Sequence, residues 1–149
     1  MDITTTVRSL LDAKNPDLWF VDPEVTVFEA ITLMAEKNVG ALPVIKYGRL
    51  LGMISERDYT RKVVLLGRVS RQTRVGDIMT GTVITVTPRD TLEDCLALMT
   101  ENRVRHLPVM EGTQVVGLVS IGDLVHGIIR IQSNAIEDLE RYVTGAYPG

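Results

Sequence analysis

The chain has 149 residues, 45% of them hydrophobic, and a mean hydropathy of +0.14, so it can bury a core of its own. Its net charge of -3 argues against general nucleic-acid binding through the phosphate backbone. No apolar run reaches the roughly twenty residues of a membrane helix, and residues 1–6 lack the pattern of a signal peptide, so we predict a cytoplasmic protein without membrane contact.

The N-terminal segment predicts a short helix. Val7, Leu10 and Leu11 have helical spacing, and the Asn15-Pro16 pair breaks the pattern. We assign residues 1–18 to this helix and the linker that follows it.

Beyond this segment the chain repeats itself. Residues 21–58 align with residues 86–123 at a constant offset of 65, and thirteen of the 38 aligned positions are identical. The shared residues include the Leu-Pro-Val runs at 42–44 and 107–109. We therefore predict a first repeat at residues 19–67, a linker at 68–82, a second repeat at 83–131 and a C-terminal helix or tail at 132–149.

Each repeat predicts a helix that begins with a capping box. In the first repeat, the Thr26 hydroxyl and the Glu29 carboxylate can satisfy the first amides of the helix. An apolar stripe with helical spacing follows in both copies, at Val27, Ala30, Ile31 and Met34 and at Leu92, Cys95, Leu96 and Met99. Cys95 is therefore predicted to be a core residue.

A hairpin and a second helix complete each repeat. The strands are predicted at 42–45 and 50–54 in the first copy and at 107–110 and 115–119 in the second. Each second strand runs into an N-cap serine with an acid three positions later, Ser55 with Asp58 and Ser120 with Asp123. The first of these helices is predicted to end at Gly67.

The predicted fold is α/β of the α+β type, with two copies of a strand-helix-strand-strand-helix unit. Neither copy alone can cover a three-stranded sheet with two helices, so the two should pack sheet to sheet about a pseudo-twofold axis, with two related clefts between them. Extension helices lie at both ends. The apolar stripe of the last one, Ile136, Leu139 and Val143, serves either packing within the chain or a dimer contact, and we expect a homodimer.

The residues argue against catalysis. No nucleophile stands beside a base, no G-x-x-x-x-G-K loop is present, and no His/Cys cluster supplies the ligands of a zinc site. We therefore predict no enzyme activity, no metal and no catalytic cofactor. Six basic residues lie close together and either favour a bound anion or form a solvated surface: Arg57, Arg61, Lys62, Arg68, Arg71 and Arg74.

The doubled pattern resembles a known family. The runs Gly-Met-Ile-Ser-Glu-Arg-Asp at 52–58 and Gly-Leu-Val-Ser-Ile-Gly-Asp at 117–123, each after a Leu-Pro-Val strand, are similar to the cystathionine-β-synthase (CBS) domain. Two copies would make a CBS pair, or Bateman module, of the small stand-alone type. The resemblance implies regulatory binding of AMP, ADP, ATP, NAD or S-adenosylmethionine in the clefts, and signalling to a protein that the sequence does not identify.

The resemblance also implies the binding residues. Ser55 and Asp58 would hold the ribose and phosphate side of one nucleotide, and Arg57 suits phosphate because its guanidinium binds bidentately. A helix N-terminus would add free amides for phosphate oxygens. The adenine pocket would come from Val83, Ile84, Val104, Arg105, His106 and Pro108.

By pseudo-symmetry, Ser120 and Asp123 would serve a second cleft, together with Leu18, Trp19, Val39, Gly40, Ala41 and Pro43. The copies differ where ligand contacts are expected, since Glu56-Arg57 becomes Ile121-Gly122 and Gly40-Ala41 becomes Arg105-His106. We therefore predict one good site at Ser55 and Asp58 and a weaker second one.

A purely structural interpretation stays open for each of these residues. The Ser/Asp pairs cap helices with or without a ligand, the arginines suit a solvated surface, and His106 and Trp19 suit packing. The alternative function is a constitutive protein-interaction scaffold with empty clefts.

Overall fold

A computed structural model describes residues 5–14 and 17–144, with backbone alone at 138 and 142–144. Its elements in chain order are α1 (Val7–Ala13), α2 (Val27–Lys37), β1 (Ala41–Lys46), β2 (Arg49–Ser55), α3 (Glu56–Tyr59), a π-helical stretch (Thr60–Val64), α4 (Val75–Ile78), α5 (Leu92–Asn102), β3 (His106–Glu111), β4 (Gln114–Ser120) and α6 (Ile121–Thr144). This confirms the α+β class, the N-terminal helix and both hairpins.

The chain divides into two compact units. The repeat-1 unit contains residues 17–85 and 108–118, and the repeat-2 unit contains the described residues before 16 together with 86–107 and those from 119 onward. A buried apolar cluster forms the core of the repeat-1 unit; its largest members include Met34 of α2, Leu42 of β1 and Ile54 of β2. In the repeat-2 unit Cys95 is fully buried on α5, so the prediction that it is a core residue is confirmed.

The sheet of the first repeat is narrower than predicted. β1 pairs antiparallel with β2, but the expected third strand is reduced to a single parallel bridge between Val21 and Val44. The Val21 amide donates to Pro43 O at 3.1 Å, and Val21 O accepts from the Ile45 amide at 2.9 Å. Pro23 is the next residue in line to donate, and it has no N–H, so the ladder stops there.

The helix after β2 is irregular. The Ser55 cap starts α3 as predicted, but after four residues the chain widens into the π-helical stretch, where the Leu65 amide donates to Thr60 O at 3.1 Å. Gly67 then turns the backbone with a φ of 70°, which is the predicted helix end. Short π-helical segments of this kind are frequent at functional sites.

The segment that precedes each repeat pairs with the other repeat. Within the repeat-1 unit, residues 73–76 lie against the start of α2: the Val27 amide donates to Thr73 O at 2.8 Å and the Val75 amide to Val25 O at 2.9 Å. Within the repeat-2 unit, the N-terminal segment does the same for α5, where the Leu92 amide donates to Thr5 O at 3.0 Å. Helix α1 is thus the counterpart of α4.

This exchange shows a second internal alignment, at an offset of 68. The run Thr-Thr-Val-Arg-Ser-Leu at 5–10 corresponds to Thr-Arg-Val-Gly-Asp-Ile at 73–78. Val7 and Val75 are both 0% exposed, and Leu10 and Ile78 are both buried. Residues 73–78, which fall in the predicted linker at 68–82, are therefore part of the repeated structure.

The second repeat ends in one continuous helix. α6 runs for 24 residues, so the expectation of a separate tail helix after residue 131 is wrong. The sequence also predicts that the last helix ends near Gly145, which lies outside the described residues. The first half packs inward, with Leu124 fully buried and Gly127 so close to α1 that a Cβ there would lie 2.9 Å from Leu10 Cδ2. In the second half Ile136 and Leu139 are 57% and 63% exposed, so they do not pack within the described chain.

Among the helices of the described ranges, none combines the length and the apolar character needed to cross a membrane.

Val7→Ala tests the exchanged N-terminal segment. Because Val7 is fully buried, its truncation should lower the free energy of unfolding by about 2 kcal/mol, as measured by urea denaturation. Val116→Ala is the matched control, since Val116 is 37% exposed and its truncation should change stability by less than about 0.5 kcal/mol. Equal stabilities of the two variants would contradict the placement of α1.

Candidate functional site

Ser55 and Asp58 form a complete capping box at the start of α3. The Ser55 amide and hydroxyl both donate to Asp58 Oδ2, at 3.0 and 3.1 Å, and the Asp58 amide donates to Ser55 Oγ at 3.1 Å. The helix-capping role that the sequence left open for this pair is therefore present. The capping box does not use the second carboxylate oxygen of Asp58, Oδ1.

That second oxygen, Asp58 Oδ1, meets a cation and a hydroxyl. Lys62 Nζ lies 3.1 Å away, one helical turn further along the chain, and Thr80 Oγ1 donates to it at 3.4 Å. Lys62 Nζ also donates to Ile78 O at 2.9 Å, so the ammonium is held between α3 and the segment after α4. The main chain fixes Thr80 as well, because Met53 and Thr80 exchange two backbone hydrogen bonds of 3.0 and 2.9 Å.

Lys62 and Thr80 were not among the predicted binding residues. The i,i+4 spacing from Asp58 to Lys62 was available in the sequence as a signal. The position of Thr80 depends on the pairing of residues 79–80 with β2, for which the sequence offers one clue. Gly52, shared with Gly117, lies under this pairing, and a Cβ at Gly52 would stand 2.7 Å from Thr80 O.

We expected free backbone amides at the starts of α3 and α6 to be available to phosphate oxygens. For two amides in each helix this expectation is wrong, because they donate within the chain. The Glu56 amide donates to Gly40 O at 3.0 Å, and the Asp58 amide is taken by Ser55. In the second repeat, the Ile121 amide donates to Arg105 O at 2.9 Å, and the Asp123 amide is taken by Ser120. Side chains rather than these amides are left to recognise an anion.

The equivalent carboxylate in the repeat-2 unit has a different partner. Ser120 and Asp123 repeat the capping box, but Lys14 Nζ donates to Asp123 Oδ2 at 2.7 Å, the oxygen that also accepts from the Ser120 amide at 2.8 Å. Burial alone would raise the pKa of Asp123. The hydrogen bonds from Lys14 and Ser120, with the Lys14 charge, outweigh burial and lower the pKa below its usual value.

His106 lies near this carboxylate. It is the first residue of β3 and half-buried, and burial lowers its pKa against the opposing influence of Asp123, with Lys14 and Arg105 adding to the decrease. The imidazole is therefore neutral near neutral pH. Val104, Arg105 and His106 belong to the same unit as Asp123, whereas the sequence analysis assigned them to the nucleotide at Ser55 and Asp58.

The other predicted contacts are spread over the repeat-1 unit. Val83 and Ile84 are half-buried and follow Thr80 within four residues. Trp19 packs against the core, and one face of its ring is covered by Lys37 Nζ, 4.2 Å from the centroid. The remaining residues are exposed at Arg57, half-buried at Leu18, Val39 and Gly40, and buried at Ala41, Pro43 and Pro108.

Within residues 5–14 and 17–144, no group of three or more His, Cys, Asp and Glu side chains is placed to hold a metal ion. Burial, with the nearby Asp90 and Asp94 carboxylates, raises the pKa of Cys95 to about 11. This thiol is therefore protonated at neutral pH and is a poor nucleophile.

The fold and the two capped carboxylates define a protein of two related α+β repeats, and comparison with known proteins identifies the family. The CBS domain model matches residues 7–65 and 75–130. The chain belongs to the CBS-domain family, as a CBS pair of the kind that serves regulation in signal transduction, which confirms the resemblance. Both matches include the exchanged segments that begin at Val7 and Val75.

The relatives are small CBS proteins. The mitochondrial CBS domain-containing protein CBSX3 of Arabidopsis thaliana is 40% identical over 154 residues, covering 97% of this chain and 74% of the relative. YhcV of Bacillus subtilis is 36% identical over 118 residues, covering 79% and 84%. A solved CBS-domain protein of Burkholderia ambifaria is 48% identical with a TM-score of 0.82, covering 85% and 95%.

Lys14→Met should raise the pKa of Asp123, because it removes a hydrogen bond and a charge that stabilise the carboxylate. The folded-state pKa lies below the ordinary 3.8, so the stability from this pair is fully present above pH 3.8 and is lost as pH falls through the folded pKa. We expect a stability difference of about 1 kcal/mol between wild type and variant at neutral pH, shrinking below pH 3.8.

NMR titration of the Asp123 side-chain carbonyl and denaturation at several pH values measure these effects. Lys37→Met is the control, since its ammonium lies over the Trp19 ring. An unchanged Asp123 pKa in Lys14→Met would contradict the ion pair.

Proposed function

We propose that this chain is a non-catalytic regulatory module that binds an adenine nucleotide, AMP, ADP, ATP or NAD, at Asp58 and reports its presence to a partner protein. The observation that supports the proposal most directly is the group of side chains around the Asp58 carboxylate. It combines an anion, a cation and two hydroxyls, and half-buried apolar residues follow in the same unit.

The carboxylate suits a ribose. An ionised carboxylate only accepts hydrogen bonds, through about four lone-pair directions, and the capping box uses one oxygen. Oδ1 has a long contact to Thr80 and the Lys62 ion pair, so it retains the capacity to accept from ribose hydroxyls. The capping box holds the carboxylate in place before a ligand arrives, which lowers the entropy cost of binding.

The cations suit phosphate. Lys62, in the π-helical stretch, brings a point charge to within 3.1 Å of Asp58 Oδ1, and Arg57 on α3 carries a guanidinium that can bind phosphate bidentately. Both side chains belong to the basic residues between Arg57 and Arg74, for which the sequence allowed either a bound anion or a solvated surface. For Arg57 and Lys62 we propose the bound anion.

The apolar part of the proposed site consists of residues that follow Thr80 in the chain. Half-buried Val83 and Ile84 offer the apolar surface that a purine ring requires. The parts of Val104, Arg105, His106 and Pro108 in adenine binding, and those of Trp19, Gly40 and Ala41, rest on the family resemblance alone.

Asp123 is proposed as the weaker site. Its Oδ2 is held by Lys14 at 2.7 Å and by the Ser120 amide at 2.8 Å, so a ribose would have to compete with a charge-assisted hydrogen bond. At Asp58 the capping box and the cation use different oxygens. This difference supports one good site and one poor site.

We also propose that the module works as a homodimer. Four large apolar side chains are exposed by more than half around the π-helical stretch, at Val64, Leu65, Leu66 and Val69. The same patch suits the alternative function, a constitutive scaffold that binds another protein without a nucleotide. Ligand titration separates the two functions.

Asp58→Asn should weaken nucleotide binding while keeping the fold. The side-chain oxygen of asparagine can still accept from the Ser55 amide in the capping box but carries no negative charge, so we expect at least a tenfold loss of affinity, about 1.4 kcal/mol, in isothermal titration with AMP, ATP and NAD. In wild type, nucleotide at a hundred times its Kd should raise the free energy of unfolding by about 2.7 kcal/mol.

Asp94→Asn is the matched control. Asp94 forms the same capping box on α5, with its amide donating to Thr91 Oγ1 at 3.1 Å, but it lies outside the proposed site. It loses the charge of a capping-box carboxylate without touching the proposed site, so its affinity for nucleotide should equal that of wild type. If wild type binds none of the three nucleotides below millimolar concentration, the sensor proposal fails and the scaffold is favoured.

A further inference from the structure

Lys62 connects the Asp58 carboxylate to the end of α4. Its ammonium lies 3.1 Å from Asp58 Oδ1 and donates to Ile78 O at 2.9 Å. Ile78 is the last residue of α4 and is only 3% exposed, and its carbonyl is one of those that a helix leaves without an internal partner. The lysine therefore supplies a hydrogen bond that closes α4, while the same ammonium faces the carboxylate proposed to hold a ribose.

The equivalent position of the second repeat is filled differently. Gly127 stands four residues after the capped carboxylate of its repeat, as Lys62 does in the first. It packs against Leu10, the counterpart of Ile78 at the offset of 68, so closely that a Cβ would lie 2.9 Å from Leu10 Cδ2. The second repeat thus closes this junction by apolar packing, and the first closes it with a cation. An anion can draw a cation away from a carbonyl, but it has no comparable effect on packed apolar groups.

The segment that Lys62 holds is fixed at both of its ends. The main chain is hydrogen-bonded to other parts of the repeat-1 unit at Gly76 on one side and at Thr80 on the other. The Thr80 hydroxyl also donates to Asp58 Oδ1 at 3.4 Å. Residues 77–79 therefore lie between two main-chain anchors, with Lys62 as their link to the carboxylate.

A nucleotide at Asp58 would compete for this lysine. The 2′ and 3′ hydroxyls of a nucleoside monophosphate are separated from its 5′ phosphate by the sugar ring, so an ammonium that binds the phosphate has to leave the carboxylate that holds the hydroxyls. A charged phosphate attracts an ammonium more strongly than a neutral carbonyl oxygen does. The lysine stem is flexible and its side chain is 41% exposed, so the ammonium can follow the phosphate.

We propose that Lys62 is a latch that nucleotide phosphate releases: without nucleotide it holds the end of α4, and with nucleotide it leaves Ile78 O for the phosphate. The Ile78 carbonyl then loses its partner in a buried place, which costs free energy unless the end of α4 shifts toward water. Occupancy of the site is thereby converted into a loosening of residues 77–79. This inference rests on the proposed nucleotide function and adds the way in which the site reports its ligand.

Amide hydrogen exchange at Met79, followed by NMR, measures the latch in the unaltered chain. The Met79 amide donates to Val75 O at 2.9 Å across the last turn of α4, so its exchange rate follows the opening of that turn. Saturating AMP should speed this exchange about fivefold, the change expected from the loss of one hydrogen bond. Stabilisation of the fold by a ligand slows exchange, so an acceleration at Met79 is specific to release.

Adenosine is the matched ligand, because it has the base and the ribose hydroxyls of AMP but no phosphate. At saturation it should not accelerate exchange at Met79, since nothing draws Lys62 away from Ile78 O. An equal acceleration by adenosine and AMP would overturn release by phosphate.

Substitution of Lys62 tests the latch without nucleotide. Lys62→Met keeps a long side chain but cannot donate to Ile78 O, so Met79 should exchange about fivefold faster in the free chain and should accelerate no further with AMP. Arg61→Met is the matched control, because it removes a neighbouring positive charge from an exposed side chain. It should leave the exchange at Met79, and its response to AMP, as in wild type. Unchanged exchange at Met79 in free Lys62→Met would overturn the latch.

Nucleotide binding and the latch fail in distinguishable ways. If wild type binds no nucleotide in isothermal titration, the proposed function fails and release by phosphate fails with it. If AMP binds and exchange at Met79 slows or stays unchanged, the latch alone is overturned and the nucleotide site stands.

Discussion

The structure depends on an exchange of main-chain hydrogen bonds between the repeats. The segment before the first repeat closes the start of α5, and the segment before the second repeat closes the start of α2, each with a fully buried valine, Val7 or Val75. Neither repeat is complete without residues that precede the other one in the chain. A single repeat would leave backbone amides and a buried apolar site unpartnered, and such groups are costly. The doubling of the sequence is therefore a condition of the fold.

The same exchange makes the two carboxylates different. Asp58 and Asp123 have the same Ser caps at the same offset, but the exchanged segments that approach them differ in sequence. Thr80, from the segment after α4, brings a hydroxyl to Asp58, whereas Lys14, at the end of α1, brings an ammonium to Asp123. Identical caps thus have unequal capacity for a ligand. The differences between copies at Arg57, Arg105 and His106 suggested one good site, and the structure adds the stronger difference, Lys14.

The sequence predicted what depends on short-range patterns. The capping boxes at Thr26, Ser55 and Ser120, the hairpins and the turn at Gly67 follow from local spacing, and the offset of 65 revealed both copies. What it missed depends on long-range pairing. The correspondence of α1 and α4 becomes visible only when the sequence is aligned with itself at an offset of 68. Thr80 lies near Asp58 because its backbone pairs with that of Met53. The third strand is interrupted because Pro23 has no N–H to donate. Lys14 could not be assigned, since 109 residues separate it from Asp123.

Helix α1 connects the weaker carboxylate to the rest of α6. Lys14 binds Asp123 at the first turn of α6, and Leu10 packs at Gly127, one turn later. A ligand that took the Lys14 position at Asp123 would release the end of α1 and leave its contact at Gly127 to hold the segment. α6 is a single helix from Ile121 to Thr144, so the same element carries Asp123 near its start and the exposed Ile136 and Leu139 further along. The departure from symmetry at Lys14 thus ties the second carboxylate to α1, a connection that Asp58 does not have.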